Sequence, residues 1–123
     1  MKLEDILNES CFGTIATIKG EECLRKLEMF LEYNKPFINR FPKAIASLNC
    51  VEGLSLDIYK EYQAIWSRNI PNVLFLGSPS NRGHMFGTID LEEAILKYVK
   101  ENYRSLKYIW KTMDDVLLSE KMF

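Results

Sequence analysis

The sequence predicts an α/β protein, a three-layer α/β/α sandwich around a mostly parallel sheet in the order β-α-β-α-β-α-β. Three observations predict it. Strand-like stretches at 12–18, 43–48, 73–77 and 106–111 alternate with stretches of helical period. Such alternation implies right-handed crossovers and helices on the sheet faces. The third stretch is short and wholly apolar, as a strand covered on both faces should be.

Taken in order, residues 2–8 bring Leu3, Ile6 and Leu7 onto one side of a short helical turn. Residues 12–18, FGTIATI, are rich in β-branched side chains and read as a buried strand. From 21 to 33, Cys23, Leu24, Leu27, Phe30 and Leu31 recur at helical spacing, and Asn34, Lys35 and Pro36 are expected to end that helix. A second strand follows at 43–48, then a loop at 49–53. Ser55 is placed to cap a helix over 56–68 that buries Ile58, Tyr62, Ile65 and Trp66, and Asn69 and Pro71 stop it. After the strand at 73–77 comes the chain's one turn-rich segment, GSPSNRGHMFGT. Asp90 with Glu93 makes a capping box, Ile89 is the staple residue, and the helix they start runs to Asn102. The last strand, 106–111, leads to Asp114 and Asp115, followed at once by Val116, Leu117 and Leu118.

At 123 residues the chain is long enough for one domain with its own core, and no internal repeat, low-complexity tract or linker divides it. Sixteen basic against 17 acidic residues leave a net charge of -1, which points away from nucleic acid and anionic membranes. No apolar run approaches the ~20 residues of a membrane helix, and Glu4, Asp5 and Glu9 are foreign to a secretory signal. Cys11, Cys23 and Cys50 are dispersed among apolar residues and read as reduced cytoplasmic thiols. With His84 as the single histidine, a His-based zinc site is not expected. There is no Gly-x-Gly-x-x-Gly after the first strand and no Gly-Lys-Ser/Thr, so neither nicotinamide binding nor P-loop hydrolysis is expected.

A parallel sheet gathers the loops at 17–20, 49–53, 78–87 and 112–115 on one edge, where open α/β sheets bind ligands. Asp114 and Asp115 can there offer hard oxygen ligands to Mg²⁺ or Mn²⁺; the same pair also suits a helix N-cap or a turn. Asn81, Arg82 and His84, spaced by Gly83 and Gly87, precede a helix and suit an anion or a nucleotide's polar edge. They equally suit a plain surface loop whose glycines supply positive φ.

The opening FGTIATIKGEECLRKLEMFL, the segment PSNRGHMFGTIDLEEAILKYV and the stretch YIWKTMDDVLL together resemble the nucleotide-binding half of A-type-fold (GT-A, family 2-like) glycosyltransferases, over about residues 12–118. The resemblance implies a Rossmann-like GT-A half that binds a nucleotide-sugar donor. It implies Mn²⁺ or Mg²⁺ held by Asp114 and Asp115 against the donor diphosphate. It places Thr17 and Lys19 at the nucleotide and adds Asn81, Arg82 and Gly83, with His84 beside them. Asn49 belongs to the same donor-binding set, although the family keeps an acidic residue after the second strand for the base or ribose. The family also continues past its metal motif into an acceptor-binding region with a catalytic base. This chain ends at Phe123, so the expectation is a shortened chain that binds donor weakly and transfers nothing. No residue here is assigned as the catalytic base, and the acceptor is a glycan or other molecule that the residues do not name.

Two other readings stand beside it. One is a non-enzymatic flavodoxin-like or receiver-like module holding Mg²⁺ in an acidic cluster; the first strand ends in Thr17-Ile18-Lys19, without the carboxylate such a module draws from there. The other is a homo-oligomeric interaction domain joined through exposed sheet edges or apolar surface, suggested by an aromatic content of 12%.

Overall fold

A computed structural model of the chain describes residues 2–77 and 84–113. Four parallel strands form one sheet: β1 (Ser10–Ile18), β2 (Lys43–Cys50), β3 (Val73–Gly77) and β4 (Tyr108–Met113). The helices are α1 (Leu3–Asn8), α2 (Glu22–Ile38), α3 (Leu56–Asn69) and α4 (His84–Asn102). The expected class and strand alternation are borne out. The sheet order is β3-β2-β1-β4. The chain steps outward from β1 to β2 to β3, then crosses back over both through α4 to place β4 on the far side of β1. Dinucleotide-binding sheets have this order, whereas a flavodoxin-like sheet begins 2-1-3.

β1 is central because nearly every residue in it tolerates burial on both faces. Phe12, Ala16 and Ile18 join Ala44, Ala46, Leu48 and Cys50 of β2 under α2 and α3. The alternate residues Cys11, Ile15 and Ile45 pack against Leu91, Ile95 and Val99 of α4. Gly13 sits between them: a β-carbon there would stand 3.3 Å from two atoms of Ile95, so its absence lets α4 lie close to the sheet.

Several element ends differ from the sequence expectation. Pro36 lies inside α2, which runs on to Ile38. A helix-interior proline costs about 3 kcal/mol, but Phe37 and Ile38 in that extra turn are buried, at roughly 1.5–3 kcal/mol each. Phe37 makes edge-on contacts with Phe41 and Trp110, with centroids 5.4 and 6.0 Å apart. Burial wins, and the Asn39 N–H closes the turn on the Lys35 carbonyl at 3.0 Å. α4 begins at His84, so Asp90 is inside the helix and not its cap. A capping box is a local signal, and a nucleated helix gains a backbone hydrogen bond for each added residue. The turn-rich segment therefore gives up 84–88 to the helix. β2 extends through Asn49 and Cys50, and β4 runs from Tyr108 through Thr112 and Met113, where loops were expected. β3 pairs, among the described residues, with β2 alone and is an outer strand; its residues are partly exposed, with Val73 and Phe75 packed on the α2/α3 side and Leu74 and Leu76 on the α4 side, so it is flanked on both faces as expected.

Other ends agree. Ser55 caps α3, its Oγ accepting from the Asp57 N–H at 3.2 Å. None of the three cysteines is in a disulfide. No helix among the described residues is long and apolar enough to cross a membrane.

Candidate functional site

Strand order reverses between β1 and β4, and doubly wound sheets place ligands at the carboxyl ends of the strands at such a point. The residues that reach this edge follow from register. Gly77, Leu48 and Ala16 stand at one level across β3, β2 and β1, and Met113 of β4 stands opposite Ile15. β1 and β2 end together at Ile18 and Cys50, two to three residues beyond the levels at which β3 and β4 stop. At the end of β3, Gly77 has a φ of +91°, and a β-carbon there would collide with the Leu48 backbone. It lets the chain turn off β3 directly against β2.

Thr17 and Asn49 are register partners on β1 and β2. They alternate with Ile18 and Cys50 of the α2/α3 core, so they lie on the α4 side. The Thr17 hydroxyl donates to Asn49 Oδ1 at 2.5 Å. One step down β2 on that side is Ser47, fully buried, with its Oγ unpaired among the described residues. The upper part of this face is thus polar where the lower part is apolar. Lys19 follows β1 with an exposed side chain, and its backbone N–H donates to Cys23 Sγ at 3.4 Å, which ties the exit of β1 to the first turn of α2.

Of the expected site residues, the fold brings Thr17, Lys19 and Asn49 together at this edge. His84 is the first residue of α4 and enters from the same edge. Asn81, Arg82, Gly83, Asp114 and Asp115 lie outside the described residues. The points from which their segments leave are nonetheless fixed. β3 and β4 are the two outer strands, so Gly77 and Met113 are three interstrand spacings apart, ~14 Å.

Burial pushes the Cys50 thiol up; burial and then neighbouring Cys50 push the Tyr59 hydroxyl up. Neither is a nucleophile at neutral pH. Burial carries Cys11 up to about 12 against the pull of Lys43, below the opposite, amino end of the sheet. Lys111 of β4 meets Glu92 of α4 at 2.5 Å and ties the crossover helix to the strand beyond the reversal. Among the described residues no group of three or more His, Cys, Asp or Glu could hold a metal. An open groove lined by Glu93, Leu96, Lys97, Lys100, Glu101 and Arg104 lies along α4 and includes none of the strand-end residues.

The Thr17–Asn49 bond, buried Ser47 and the Gly77 turn were not read from sequence as parts of one site. Their common signal is polar or glycine residues at the ends of otherwise apolar strands. No protein-family model, curated protein or solved structure matches the chain.

Proposed function

We propose that this chain is the donor-binding part of a nucleotide-sugar-dependent glycosyltransferase, working in the cytoplasm. The observation that supports the reading best is the parallel order β3-β2-β1-β4. It sets a reversal point between β1 and β4, and those two strands lead into Thr17–Lys19 and into Asp114–Asp115. An elongated ligand suits the ~14 Å between the outer strand ends. The same order disfavours the flavodoxin-like alternative.

Asp114 and Asp115 supply hard oxygens of the kind Mn²⁺ and Mg²⁺ prefer, and two carboxylates leave positions for diphosphate oxygens and water. Asp114 and Asp115 would hold such an ion, which when bound would supply leaving-group stabilisation for a departing nucleoside diphosphate. Thr17 and Asn49 would orient the nucleotide, and Lys19 adds a cation at the mouth. The acceptor and the catalytic base belong to the proposal only as parts outside these residues.

The test is calorimetry with uridine and guanosine diphosphates, each with and without Mn²⁺. Binding is expected to be cooperative with the metal, and Asp114→Asn with Asp115→Asn to remove the metal-dependent part while the fold persists. Binding indifferent to metal and to both substitutions would overturn the reading.

A further inference from the structure

The outer side of α2 carries an apolar patch that nothing among the described residues covers. Leu27, Phe30, Leu31, Asn34 and Ile38 of this helix are buried towards the core. At 3.6 residues per turn, Met29, Tyr33 and Pro36 fall on the opposite side, and all three are exposed. Met29 is 61% and Tyr33 56% exposed, one turn apart. Pro36 has no N–H, so the Glu32 carbonyl beside them lacks its usual helical donor.

The charges around the patch are sorted. Glu21, Arg25, Glu32 and Lys35 run along one flank, all exposed, and none of them makes an ion pair among the described residues. When two copies of a helix lie antiparallel about a two-fold axis, each flank meets its own counterpart. With that axis beside Met29, Arg25 comes level with the partner's Glu32 and Glu21 with the partner's Lys35, and each pair occurs twice. Met29 then meets the partner's Met29, and Tyr33 lies against the aliphatic stem of the partner's Lys26. Arg25 also approaches the carbonyl that Pro36 leaves open. Sliding the pair by three residues sets Glu28 opposite the partner's Glu32 and Arg25 opposite the partner's Lys35, so charge selects one register. We propose that the outer face of α2 is a homodimerisation surface, on which a second copy of this chain docks with its α2 antiparallel. α2 starts at the carboxyl edge, just after β1. The two carboxyl edges therefore point in opposite directions and both stay open. The proposal does not depend on the donor-binding reading. One helix from each copy makes a contact smaller than the ~1,200 Å² of standard interfaces, so the dimer is weak and reversible.

The full chain is followed by sedimentation equilibrium at concentrations up to ~200 µM, the range suited to a small interface. A monomer–dimer equilibrium is expected. Arg25→Glu or Glu32→Arg sets like charges together and should weaken the dimer about tenfold. The two combined restore opposite charges and should return the affinity to within about threefold of the unsubstituted chain. Met29→Glu brings two carboxylates together at the axis and should abolish dimerisation. These positions are exposed, and circular dichroism checks that each variant keeps the fold. A chain that stays monomeric up to the highest concentration overturns the proposal. So does a dimer that the single substitutions leave intact, or one that the combined substitution fails to restore, since another surface or register would then hold it.

Discussion

Beneath α2 and α3 the sheet presents Phe12, Ala16, Ile18, Ala46 and Leu48 to a cluster that includes Phe30, Phe37, Phe41, Tyr62 and Trp66. Beneath α4 it presents Cys11, Gly13, Ile15 and Ile45 to three aliphatic side chains, then turns polar at Thr17, Ser47 and Asn49. The first face is wide, aromatic and closed. The second is narrow, held by close approach at Gly13, and gives up apolar contact towards the carboxyl edge. Buried polar atoms without a partner among the described residues occur on both sides, Ser47 under α4 and Thr14 with the Trp66 indole N–H under α2 and α3, and each costs stability while unpaired. The two sides of the sheet thus divide by the size and chemistry of their core side chains.

The strongest way to break that division is to open the aromatic face. Trp66 is fully buried, with its ring 6.1 Å from that of Phe30. Trp66→Ala is expected to cost about 3–5 kcal/mol, read as a lowered midpoint in urea denaturation. Ile95→Ala on the α4 face is expected to cost less, in the lower part of the ~2–5 kcal/mol range for aliphatic truncation, since a smaller side chain is removed. An Ile95→Ala loss equal to or larger than that of Trp66→Ala would refute the asymmetry.

Next in size is the glycine at the outer strand. Gly77→Ala meets both the Leu48 backbone and a φ of +91°, and strain of this kind is worth about 1–3 kcal/mol before the collision is counted. The expected outcome is destabilisation of about 3 kcal/mol, with amide exchange rising first in β3 and the facing part of β2. Uniform exchange across all strands would show that β3 is not held independently.

Alkali distinguishes the faces in another way. Cys11, on the α4 face, is held at about 12 against an ordinary 9.0. Below pH 9 both states keep the proton and nothing changes. Between 9 and 12 the unfolded chain ionises while the folded one does not, so the folded state loses stability as pH rises, by up to about 1.4 kcal/mol per pH unit for this one group. Cys11→Ala should flatten denaturation midpoints measured between pH 9 and 10.5. The burial-raised Cys50 and Tyr59 act in the same direction from the other face, so a residual slope is expected.

Strand existence was legible because runs such as 12–18 suit only a buried pleated surface. Element ends were not. Pro36 and the Asp90 capping box are local signals, and tertiary burial of Phe37 and Ile38 and propagation of α4 overrode them. That β3 is an outer strand was hidden because an apolar run covered on both faces does not say whether its strand is central or outer. Thr17, Lys19 and Asn49 could be placed at strand ends from sequence. That Thr17 bonds Asn49 depends on pairing register across 32 residues, and apolar alternation constrains register without naming side-chain pairs.

The smallest expected effect concerns the tie between α4 and β4. Lys111 and Glu92 join the crossover helix to the strand on the far side of the reversal, but both side chains are more than a third exposed. Solvent screens such a pair, and exposed ion pairs contribute about 0–1 kcal/mol. Lys111→Met keeps most of the aliphatic stem and removes the charge, so the predicted loss is at most about 0.5 kcal/mol. Raising salt to ~1 M, where the Debye length falls to about 3 Å, should erase the difference between the variant and the unsubstituted chain. The pair's position makes the result informative. If Lys111→Met costs much more, and the cost survives high salt, β4 depends on α4 for its place in the sheet. The narrow face would then carry stability that the aromatic face was assigned.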